Sequence, residues 1–191
     1  MNCVQRNCVY ALTGLLACFY CYPTMGKENT TNETSPKNAP DHFQWHEHGK
    51  LSWDDFKGAV NAARDESAAA TCCSIGFKTN TSGPGSKPEI IVYNTFYTNK
   101  SWVRPDAKLE SILEHEQGHF DLCEVYTRKL KKCMNGIDPD APGMKEELMR
   151  IYSELSNEYE MRQQAYEQET MHGTNIAEQK KWQTMIASDL I

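Results

Sequence analysis

The sequence predicts an α+β domain: a small antiparallel sheet packed on one long helix, with a C-terminal helical half completing it. Three stretches carry that expectation. Glu89 to Tyr97 is β-branched or aromatic at Ile90, Ile91, Val92, Tyr93, Phe96 and Tyr97, which is strand composition. Ile112 to Leu122, ILEHEQGHFDL, lies within an apolar framework of helical spacing set by Leu109, Ile112, Leu113 and Phe120. Met144, Leu148, Ile151, Leu155, Tyr159 and Tyr166 keep one face of a second long helix apolar.

Along the chain, Val9 to Tyr22 is apolar apart from Thr13 and follows Arg6. It is shorter than the ~20 residues a bilayer-spanning helix needs, and suits the apolar core of an export signal. Residues 1–22 are therefore read as an export signal. Leu15-Leu16-Ala17-Cys18 loosely matches a lipoprotein cleavage box, which would leave a lipid anchor and membrane attachment at Cys18; a cut near Pro23 is the alternative. Localisation follows as the bacterial cell envelope, either periplasmic or lipid-anchored. Residues 23–41 are polar and rich in Asn, Thr and Pro, the composition of a flexible tether. The folded domain is expected over 42–191.

Within it, Ala68 to Phe77 reads as a first strand, and Ser82 to Gly85 as the turn before the strand at Glu89. Pro105 suits the first turn of a helix ending near Cys133, ahead of Asn135-Gly136. The second helix should cover about 144–170. Met171 to Thr174 is a break before a last helix from about Asn175.

Of 191 residues, 39% are hydrophobic and 24% charged, which is the composition of a soluble globular protein. With a formal charge of −6 and no basic block, nucleic acid is not an expected partner. The eight cysteines suit an exported chain. If disulfides form, at least one is expected to link Cys72 or Cys73 to Cys123 or Cys133, free buried cysteines being the alternative; Cys123 and Cys133, ten helical residues apart, should not pair with each other.

The chemistry rests on His115-Glu116-Gln117-Gly118-His119. On a helix the two histidines lie one turn apart on one face and can hold one zinc ion. Glu116 sits about 100° round, beside the metal, where a general base must be to take a proton from zinc-bound water. Gly118 lacks a side chain, so a strand or substrate could approach the helix closely there. The competing account is a solvated charged face, which the flanking apolar residues disfavour.

LSWDDFKG (51–58), SWV (101–103), LEHEQGHFDL (113–122) and YEQETMHG (166–173) together resemble the bacterial domain-of-unknown-function family 922. The resemblance covers nearly all of 42–191. It implies an exported HExxH zinc protease with a zincin-like fold; the motif's own context, a strand at Glu89 to Tyr97 ahead of it, separately suggests an edge strand of the site. This chain departs from the family in its clustered cysteines and in carrying Glu167 where Asp is expected.

For a third zinc ligand, the position six residues after His119 holds Val125, which closes that option. Glu146, Glu147, Asp138 and Asp140 lie in charged or turn-rich segments. His172 is the only histidine after the motif. It follows a long helix that, packed antiparallel to the first, would return the chain toward His115, and it lies in a block matching the family pattern. The expected ligands are therefore His115, His119 and His172, with Glu116 the catalytic base and a peptide or protein the substrate. Asp121 is a candidate partner of a ligand, Glu124 and Arg128 an i,i+4 pair, and Tyr126 and Tyr166 candidate oxyanion stabilisers or core residues. His42, His46 and His48 are read as solvated. The rival to a zinc metallopeptidase is a non-catalytic zinc-binding envelope or interaction module on a degenerate protease fold.

Overall fold

The structure, a computed structural model, describes residues 41–60, 67–80 and 87–191. The expected export signal, Cys18, the tether up to residue 40 and the turn at 82–85 lie outside the described residues. Among the described residues, no helix is long and apolar enough to cross a membrane.

The strands are β1 (His42–Phe43), β2 (Ala69–Ala70), β3 (Cys73–Asn80), β4 (Glu89–Tyr97) and β5 (Trp102–Val103). The helices are α1 (Trp45–His48), α2 (Glu110–Met134), α3 (Met144–Glu169) and α4 (Ile176–Asp189). The fold is α+β, with two small antiparallel sheets, β1-β4-β3 and β2-β5.

In the larger sheet Cys73 stands opposite Phe96, and Phe77 opposite Val92. The two-residue period of a strand turns Cys73, Ile75 and Phe77 inward. The Phe77 ring lies 5.5 Å from that of Tyr152 on α3. Phe96, fully buried, gathers the rings of Phe43, Phe56 and Phe120 at 4.9–5.6 Å and joins the sheet to α2.

α2 is the axis of the domain, with the larger sheet, α3 and α4 all packed against it. Its turns from His115 to Met134 are mostly buried, as expected of a helix enclosed by other elements. α3 packs against it antiparallel: His115 meets Glu167, His119 meets Gln163, and Tyr126 meets Glu158. As one number rises the other falls, so the C-terminal end of α3 returns to the motif.

Four expectations need correction. β4 is the central strand of its sheet, not an edge, because β1 pairs on its free side. The expected strand at Ala68–Phe77 is two strands. At the bend the Cys72 N–H donates to Ser101 Oγ at 2.9 Å, so Ala69–Ala70 leave the larger sheet to pair with β5. The helix expected from Pro105 begins at Glu110; Pro105–Ala107 form a 3-10 turn, and Leu109 is extended, which interrupts the helical ladder. Finally, no disulfide ties the strands to α2: Cys73, Cys123 and Cys133 are free thiols, and Cys72 is disulfide-bonded but to none of these. Cys73 and Cys123 are hydrogen-bonded thiols; that contact, together with burial, raises the Cys73 pKa.

Candidate metal centre

Each residue of the motif in α2 has a separate task. His115 and His119 point their Nε2 atoms at each other, 3.2 Å apart. Gln117 faces the opposite way and accepts from the Leu51 N–H at 2.7 Å, fastening the N-terminal segment. Gly118 receives Tyr166 of α3: a Cβ there would overlap the Tyr166 hydroxyl and stand 2.7 Å from its Cζ. The space at Gly118, expected to admit a strand or substrate, is filled instead by a core tyrosine of α3. Gly118→Ala should cost about 1–3 kcal/mol through overpacking, read as a lower urea midpoint.

The third member of the cluster comes from α3. Glu167 Oε2 lies 2.9 Å from His115 Nε2 and 3.0 Å from His119 Nε2. His115, His119 and Glu167 form a buried group with ligand atoms close enough to share one metal ion. His172 is not in that group. Its Nδ1 lies 2.5 Å from the other oxygen of Glu167, Oε1, on the outer side of the carboxylate. The chain does come back to His115 after α3, but it delivers Glu167 a turn before it delivers His172.

Two glutamines set the imidazole tautomers. Gln163 Nε2 donates to the His119 carbonyl and to Tyr159 OH, both at 2.9 Å, which leaves Gln163 Oε1 to accept from His119 Nδ1 at 2.6 Å. Gln179 of α4 donates Nε2 to Tyr166 OH at 2.6 Å and presents Oε1 to His115 Nδ1 at 3.1 Å. Tyr166 in turn donates to the His115 carbonyl at 3.0 Å and stacks on its ring at 4.8 Å. An imidazole whose Nδ1–H is spent on an amide oxygen turns a lone pair outward at Nε2. Two such lone pairs and a carboxylate oxygen then converge on one point, an arrangement that requires a cation there. Such outer partners are the usual orienters of metal-bound histidines.

A proton can serve as that cation. Burial alone would lower the His119 pKa, but the hydrogen bond and charge of Glu167, with the charge of Glu116, outweigh it and raise it to about 9. Burial alone would raise Glu167, yet its bonds and charge pairing with His115 and His119 hold it well below the usual carboxylate range. A raised histidine stabilises the fold fully below its ordinary pKa of 6.5 and loses that contribution as pH rises through about 9. Protein stripped of divalent ions by chelator should therefore melt at progressively lower temperature from pH 6.5 to 9, and added metal should flatten that slope.

Glu116 is 4% exposed, and its Oε2 is buried with no hydrogen-bond partner. Its backbone carbonyl is bound by the Thr71 hydroxyl at 3.3 Å. A carboxylate oxygen left unpaired inside a protein is costly, and His115, His119 and Glu167 offer three ligand atoms within reach of one ion. The donor set therefore fits a divalent metal.

The remaining candidates have other partners. Asp121 accepts from Trp45 Nε1 and Gln117 Nε2, both at 2.7 Å, which makes it a tie between α1 and α2. Glu124 pairs with Arg128 at 2.8 Å and also accepts from Asn94. Tyr126 donates to Glu158 at 2.8 Å. His48 is 3.0 Å from Asp55 and stacks on Phe43, while His42 and His46 are exposed. Sequence reasoning missed Glu167, Gln163 and Gln179. For Glu167 a signal existed, since the family resemblance calls for an acidic residue at that position. The two glutamines carry none, because a polar residue in a helix reads as solvent-facing.

Residues 88–173 match the model of a family described as "Bacterial protein of unknown function (DUF922)". The matched stretch runs from the start of β4 to the turn after α3, and so contains His115, Glu116, His119, Glu167 and His172. No curated protein and no solved structure matches the chain.

Proposed function

With residues 88–173 assigned to that family, we propose that the chain is a zinc-dependent peptidase of zincin type, with His115, His119 and Glu167 as the protein ligands and Glu116 as the general base. The observation that carries this reading is the convergence of two Nε2 lone pairs and one carboxylate oxygen on a single point, with Glu116, whose buried Oε2 has no hydrogen-bond partner, next to His115 in the motif. Two histidines and a glutamate are a known catalytic zinc set, with the fourth position left for water or substrate. When bound, the ion supplies Lewis acidity, which lets water lose a proton near neutral pH. Glu116 takes that proton and hands it on to the leaving amine; Gln163, Gln179 and Tyr166 hold the imidazoles still meanwhile. The segment at residues 1–22 would carry the protein to the cell envelope.

One observation favours the second reading, a non-catalytic metal-binding module: His115, Glu116, His119 and Glu167 are all buried. A peptide library incubated with the zinc-loaded full-length chain and read by mass spectrometry separates the two. Cleavage that a chelator stops and zinc restores supports the peptidase. One zinc per chain with no cleavage of any library member supports the module.

A further inference from the structure

Glu167 uses its two oxygens differently. Oε2 faces His115 and His119, while Oε1 is held by His172 Nδ1 at 2.5 Å. The His172 side chain is 57% exposed, whereas that of Glu167 is 11% exposed.

The turn that brings His172 there is an unusual one. Met171, His172 and Gly173 have φ of 50°, 56° and 78°, three successive residues in the left-handed region. A helix end commonly uses one such residue, usually glycine, and residues with a Cβ adopt the conformation at a cost. Burial does not repay it here, since Met171 is 60% exposed and His172 lies largely in solvent. The turn is nevertheless firmly held. The His172 N–H donates to the Glu167 carbonyl at 3.0 Å, the Thr170 hydroxyl donates to the Tyr166 carbonyl at 2.6 Å, and the Asn175 N–H donates to the Thr170 carbonyl at 2.8 Å. Gly173 lies against His115, where a Cβ would stand 2.9 Å from the His115 Cβ. Backbone strain held in place by its surroundings beside a polar cluster is characteristic of functional sites. What the strain secures here is one contact, from an exposed imidazole to a buried carboxylate.

We infer that His172 is a positioning residue that keeps Glu167 a one-oxygen ligand. With Oε1 bound by the Nδ1–H, only Oε2 is left for the metal. A carboxylate released from His172 could offer both oxygens and take up the position that zinc chemistry leaves for water. The inference rests on the metal reading above and adds a role for a residue outside the donor set.

The test is titration of Co2+ into chelator-treated full-length protein, followed by visible absorption, for the wild type and for His172→Ala, His172→Gly and His172→Asn. Glycine removes the imidazole while relieving the left-handed backbone, so a role confined to the turn would leave that variant unharmed. Asparagine tolerates the same backbone and carries a donor. Alanine and glycine variants should bind Co2+ about 10–100-fold more weakly, with weaker bands as coordination number rises, and asparagine should recover much of both. Wild-type affinity and spectrum in the alanine and glycine variants would overturn the inference alone. A wild-type protein that takes up no Co2+ or Zn2+ would overturn the metal reading, and the inference with it.

Discussion

Glu116→Gln should leave the metal bound and remove hydrolysis. General-base catalysis contributes about 10²–10⁴ in rate, and the amide cannot accept the proton. The substitution keeps the shape of a side chain that is 4% exposed, and replaces a carboxylate whose Oε2 has no partner. Because it replaces a buried carboxylate oxygen that has no partner, the variant should melt no lower than the wild type, the usual sign of a residue kept for activity over stability. Metal analysis, turnover on whichever peptide the wild type cleaves, and a thermal melt make the three readings. Wild-type turnover in the variant would remove Glu116 from the mechanism.

Glu167→Ala should reduce metal affinity by more than the roughly 10–100-fold that loss of an outer partner costs. It removes one of three donor atoms and the charge that raises His119. Two effects should therefore appear together: loss of zinc in a chelator competition, and loss of the stability slope between pH 6.5 and 9 in chelated protein. His172→Ala should do less in the first assay, because it touches only Oε1. Undiminished zinc affinity in Glu167→Ala would return the third ligand to other candidates, His172 first among them.

A helix repeats every 3.6 residues, so the proximity of His115 to His119, and the place of Glu116 beside them, follow from local geometry alone. The strand at Glu89–Tyr97 and the two long helices were legible for the same reason, since each is a periodic pattern. Where periodicity stops, so did the reading. Whether β4 lies at the edge of its sheet or inside it depends on the two-residue strand His42–Phe43, too short to carry a pattern. The break between β2 and β3 depends on Ser101, 29 residues away from Cys72.

Sequence by itself determined the α+β class and the motif helix that sets two imidazoles on one face with Glu116 beside them; the antiparallel return of a second helix was a condition that the structure meets. Tertiary structure alone decided which atom meets those imidazoles. Glu167 on α3 and His172 in the turn after it are five residues apart; Glu167 meets His115, and His172 meets Glu167. The phase of one helix against another is set by side-chain packing, here by Tyr166 seated on Gly118. That phase points Glu167 inward, and the left-handed turn at Met171–Gly173 then folds His172 back onto the carboxylate's outer face. Neither contact has a local period from which it could be read: the first is fixed by packing between segments some 50 residues apart, and the second by an irregular turn whose Gly173 lies against His115.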